Sequence, residues 1–133
     1  MVLLVTSDGG STWVVRSMPG EAPFQVAGDF VDANHGWVIA GTAADFDAVP
    51  RVPLPLYRTD DGGLTWVPVP ANVVWRSPEE RVGIIDILDF VDQNNGFALR
   101  QRKDVPNGYT QWLKTTDGGR TWTVVVAAPK TPA

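Results

Sequence analysis

Thr115-Thr116-Asp117-Gly118-Gly119-Arg120-Thr121-Trp122 decides how this chain folds, because the stretch occurs three times. Its other copies are Thr6-Ser7-Asp8-Gly9-Gly10-Ser11-Thr12-Trp13 and Thr59-Asp60-Asp61-Gly62-Gly63-Leu64-Thr65-Trp66. Apolar or β-branched residues lead into each copy (Leu3 to Thr6, Leu54 to Arg58, Gln111 to Thr115). Similar residues lead away from it (Trp13 to Val15, Trp66 to Val69, Trp122 to Val126). Between the two runs, Asp-Gly-Gly supplies the positive φ angles of a tight hairpin. The carboxylate can accept backbone N–H bonds across the turn, and the Ser/Thr hydroxyls can add more. The tryptophan then anchors the returning strand.

A second motif occurs twice, as Asp29-Phe30-Val31-Asp32-Ala33-Asn34-His35-Gly36-Trp37 and Asp89-Phe90-Val91-Asp92-Gln93-Asn94-Asn95-Gly96-Phe97. It reads as another hairpin, turning at Asn34-His35-Gly36 and at Asn94-Asn95-Gly96, and Asn107-Gly108 marks a further turn. Strands are predicted at 2–6 and 12–16, then 24–31, 36–42, 53–59 and 65–70, then 83–91, 96–103, 109–115 and 121–127. The connection 71–82 holds at most one helical turn, at Pro78-Glu79-Glu80.

These repeats resemble the Asp-box (BNR) repeat, S/T-x-D-x-G-x-T-W, of sialidase-like β-propellers. With the preceding D-F-x-D-x-N-x-G-W/F hairpin they look most like the propeller repeats of photosystem II assembly and stability factors. The resemblance implies an all-β fold, a partial β-propeller of about two and a half four-stranded antiparallel blades. The whole chain 1–133 is then one module, with a half blade at 1–18 and blades at 24–70 and 83–127. Ten strands cannot close a ring, which needs at least four blades of four strands. The chain is therefore expected to be part of a longer propeller, to assemble with its own copies, or to stand as an open stack, with the first reading preferred because stacked repeats need neighbours.

The residues that carry the box pattern are Asp8, Gly10, Thr12 and Trp13, Asp61, Gly63, Thr65 and Trp66, and Asp117, Gly119, Thr121 and Trp122. Repetition argues for turn formation rather than catalysis, since an active site is built once from non-equivalent positions. His35, the one histidine, has Asn95 as its counterpart and is read as a turn residue. Without Cys there is no thiolate metal site, and no D-x-D-x-D-G spacing marks a calcium loop, so no cofactor or metal is expected. A sialidase would need a tyrosine–glutamate pair. Tyr57 or Tyr109 with Glu21, Glu79 or Glu80 supplies the residue types, but no family position maps onto them and none is carried over.

Composition narrows the partners. Of the 133 residues 44% are apolar, enough for a core. The net charge of −4 gives no basic face for nucleic acid. No segment is long and apolar enough to span a membrane as a helix. The start Met1 to Thr6 lacks the basic n-region of a signal peptide, so the compartment is not read, although an exported or periplasmic parent protein fits the family. Residues 17–50 carry acids and no Lys or Arg, whereas 96–122 carry Arg100, Arg102, Lys103, Lys114 and Arg120. Solvated loop ends account for this. In its sharper form it is a docking face, with Arg100, Arg102 and Lys103 as candidate contacts for an acidic partner or another copy. The function expected is a non-enzymatic scaffold for protein binding or assembly. The rivals are a fragment of a sialidase-like glycoside hydrolase and a glycan-binding propeller of an exported protein.

Overall fold

Ten β-strands and no helix make up the residues described by the computed structural model, which are 2–19, 25–41, 55–71, 83–102 and 109–129. They are β1 (Val2–Val5), β2 (Val14–Ser17), β3 (Gln25–Phe30), β4 (Gly36–Gly41), β5 (Leu56–Thr59), β6 (Val67–Val69), β7 (Gly83–Phe90), β8 (Gly96–Arg102), β9 (Tyr109–Thr115) and β10 (Thr123–Pro129). All pair antiparallel with their neighbours in sequence, as two complete meanders, β3-β4-β5-β6 and β7-β8-β9-β10, and one lone pair, β1-β2. The fold is an all-β partial propeller. Most of the connection 71–82, the turn at Asn107-Gly108, and Lys103 lie outside the described residues.

The repeated octapeptides form wider turns than a tight hairpin. Val5 pairs with Val14, Arg58 with Val67 and Lys114 with Thr123, so each octapeptide is loop from its second residue on and the returning strand starts after its tryptophan. The cause is local. The aspartate carboxylate accepts the backbone N–H of the second threonine, Thr12, Thr65 or Thr121, which holds that residue in the turn. Two successive glycines at positive φ, 73° and 96° at Gly118 and Gly119, make the reversal possible.

The core lies between the two meanders. Trp37, Ile39, Leu56, Leu88, Phe90, Ala98, Leu113 and Trp122 form one buried cluster. Residues Trp37 to Ala40 are all buried, so both faces of β4 are covered, as its unbroken apolar run predicts. The two innermost strands are tied directly, since the Phe90 amide donates to the Asp29 carboxylate at 2.6 Å. The lone pair β1-β2 is different. Val2, Leu4, Trp13, Val14 and Val15 are each more than half exposed.

Candidate functional site

Each octapeptide closes on itself through the same bonds. In the last one, Thr115 Oγ1 donates to Asp117 Oδ1 at 2.9 Å and accepts the Gly119 amide at 3.0 Å. Thr121 donates its amide to Asp117 Oδ1 at 2.8 Å and its hydroxyl to Oδ2 at 2.6 Å. Asp8 and Asp61 make the same contacts with Thr6 and Thr12 and with Thr59 and Thr65. Hydrogen bonds to the ionised form lower a carboxyl pKa. The Thr12 hydroxyl, ahead of its amide, holds Asp8 down at about 2, and Thr65 does the same for Asp61, also at about 2. Asp117 is lowered chiefly by the Thr121 hydroxyl. Acids held this firmly ionised, with both oxygens engaged, have no proton to give at neutral pH, so they suit a turn and not a general acid.

A pH prediction follows. The folded-state pKa values lie below the unfolded ones, so these carboxylates stabilise the fold fully above about pH 4 and lose that contribution as pH falls toward about 2. The melting temperature should drop through that window, and Asp61→Asn should flatten the drop. A melting temperature unchanged between pH 5 and pH 2 would overturn this.

The β3–β4 and β7–β8 turns are likewise duplicated. Asp32 Oδ1 accepts the amides of Asn34 and His35, both at 2.8 Å, and Asp92 does the same for Asn94 and Asn95. Both acids are lowered, Asp32 chiefly by the Asn34 amide and Asp92 chiefly by the Asn95 side chain. His35 Nδ1 lies 2.8 Å from the Asp32 carboxylate, where Asn95 places its amide on Asp92. The histidine thus holds an asparagine's post. Tyr57 sits on β5 opposite Val38 and Tyr109 begins β9, while Glu21, Glu79 and Glu80 lie outside the described residues. Arg100 and Arg102 stand on β8 opposite Ile85 and Gly83. Among the described residues no group of three or more His, Cys, Asp or Glu could hold a metal.

The distinctive geometry lies where one sheet meets the next. Between the two meanders, Trp37 stacks on Phe90 with ring centroids 3.8 Å apart and planes 4° from parallel. Its indole N–H donates to the Gly118 carbonyl at 3.0 Å. Phe90 meets Trp122 edge-on at 5.9 Å, and Trp122 donates to the Gly119 carbonyl at 2.7 Å. Leu56 closes against Gly119, where a Cβ would come within 2.8 Å of its Cδ2. Arg58 lies 5.3 Å above the Trp37 ring and bonds Asp60 and Gln93.

Between β1-β2 and the middle sheet only half of this is built. Leu3 closes on Gly63 as Leu56 closes on Gly119. Phe30 meets Trp66 edge-on at 6.1 Å, as Phe90 meets Trp122. The counterpart of Trp37 is missing from the described residues, and the Arg16 guanidinium reaches the Gly62 carbonyl instead. Arg16 Nε and Trp66 Nε1 are both buried without a hydrogen-bond partner. Phe30 is 37% exposed where Phe90 is 4%. What remains is a cleft of about 270 Å³, lined by Leu3, Val5, Trp13, Phe30, Asp32 and Gly62 among others. Phe30 and Gly62 both stand in the repeated motifs, yet neither is among the candidate site residues read from the sequence. The signal was there as a count, three octapeptides against two Asp-Phe hairpins.

Fold and site together define a propeller section with one incomplete sheet. No protein-family model matches the chain, and no curated protein matches it. Among solved structures, that of YCF48 bound to D1 peptide is similar over 81% of this chain, with a TM-score of 0.46 and 25% identity. The chain spans only 26% of the length of that one.

Proposed function

We propose that this chain is a non-enzymatic propeller-type scaffold, its three octapeptides Asp-box repeats, and that it works by binding protein strands or other copies at its incomplete two-stranded sheet. One observation carries the reading. The equivalent tryptophans Trp13 and Trp122 are 57% and 4% exposed, with Trp66 between them. The second and third boxes are each covered by the sheet before them, so burial rises along the chain as that cover becomes complete. The first sheet has nothing before it among the described residues, and exposed apolar faces of this kind favour association. Its open strand edge does the same.

The test is the solution mass. At micromolar concentration the chain is expected to run as a dimer or larger assembly, and the Arg100→Glu/Arg102→Glu variant to associate less. A light-scattering mass of 14.4 kDa with a sharp cooperative melt would show a self-sufficient monomer and sink the reading.

A further inference from the structure

We propose that the free edge of β1 accepts a β-hairpin of this chain's own inner type, whose tryptophan stacks on Phe30 and bonds the Gly62 carbonyl. The inference rests on the scaffold reading and names the partner for one end of it. The molecule contains the occupied form of the same site. In the middle sheet β4 pairs with β5 through Gly36↔Thr59, Trp37↔Arg58, Val38↔Tyr57 and Ile39↔Leu56. Counting back from the first threonine of each octapeptide, Thr6, Val5, Leu4 and Leu3 hold the places of Thr59, Arg58, Tyr57 and Leu56. On its other side β1 pairs only with β2, so its outer row of backbone groups has no strand partner among the described residues.

What fills such an edge follows from the neighbouring surface. An added strand supplies backbone hydrogen bonds for affinity and alternate side chains for specificity. Here one side chain meets the half-open Phe30 ring beside the Gly62 carbonyl, the same pair of surfaces that Phe90 and Gly118 offer Trp37. A flat aromatic with an N–H at its edge satisfies both. A carbonyl has two lone pairs, so the Arg16 contact does not exclude it. The cleft is also continuous with the interface already formed by Leu3 on Gly63, so the hairpin extends a packed boundary and does not start one. The occupant is therefore a two-stranded hairpin with tryptophan opposite Val5, a glycine opposite Thr6 and apolar residues opposite Leu4 and Leu3.

The probe is a synthetic peptide of residues 25–41, titrated into the full chain and followed by amide hydrogen exchange and by fluorescence anisotropy of a labelled peptide. Saturable binding is expected, with new protection of amides in β1 and none gained in β5. The Trp37→Ala peptide should bind at least ten-fold more weakly, while a Trp37→Phe peptide should lie between the two. Phe30→Leu in the chain, checked for an unchanged fold by circular dichroism, should weaken the parent peptide to a similar degree. No binding, binding that is indifferent to the tryptophan, or protection that falls on another strand would each overturn the assignment. If light scattering shows assembly while the peptide fails, the scaffold reading stands and this site is wrong. If the chain is a monomer that nevertheless captures the peptide on β1, the site stands without the self-association.

Discussion

Replacing Trp37 with alanine is expected to destabilise the chain by about 3–5 kcal/mol, the range for deleting a buried aromatic side chain. The side chain is fully buried and sits at the junction of the two complete sheets. Three contacts go at once: the stack on Phe90, the indole bond to the Gly118 carbonyl, and the Arg58 guanidinium above the ring. The carbonyl then loses a partner in a buried setting, which adds to the cavity. Trp37→Phe separates these effects. Phenylalanine already stands at the matching position, Phe97, so the shape is tolerated at this place in the repeat. It keeps much of the stack but loses the N–H and part of the ring volume, so its cost should be smaller, about 1–3 kcal/mol. Urea denaturation of both variants measures this. If Trp37→Ala came within 1 kcal/mol of the parent chain, the two sheets would not be held by this contact.

Much of the fold was legible because the octapeptide repeats and its chemistry is local. Thr115, Asp117, Gly119 and Thr121 are linked by hydrogen bonds within seven residues, so their spacing alone announces a turn. Strand number and order followed from counting turns. The strand starts were less legible. The predicted strand 65–70 includes Thr65 and Trp66, but the bonds from Thr65 to the Asp61 carboxylate hold the chain in its turn for two residues longer, and β6 begins at Val67. The cleft was harder still. Phe30 and Phe90 occur in nearly identical sequence, and nothing local tells them apart. Their difference in exposure is set by what packs on them from the preceding sheet, which is tertiary information. The same is true of Arg16, an unremarkable strand residue until its guanidinium reaches the Gly62 carbonyl 46 residues away.

That dependence on the preceding sheet makes the last prediction a comparison within one molecule. Trp122→Ala is expected to cost about 3–5 kcal/mol, because the residue is 4% exposed and meets Phe90 edge-on. Trp13→Ala removes the same residue from the same octapeptide, with the same indole bond to its own turn, at 3.0 Å to the Gly10 carbonyl. That ring is 57% exposed, so its loss should cost about 1 kcal/mol or less in the isolated chain. Local turn chemistry is nearly matched between the two, and only the neighbouring sheet differs. Thermal and urea melts of both variants, taken at the same protein concentration, give the difference directly. Equal losses would mean that the octapeptide stabilises by its turn alone, and burial by the sheet before it would no longer explain how these repeats depend on one another. A Trp13→Ala cost that grows with protein concentration would have another meaning, since only a contact with a second molecule makes stability depend on concentration. It would place Trp13 under a neighbouring copy, as Trp122 lies under the middle sheet.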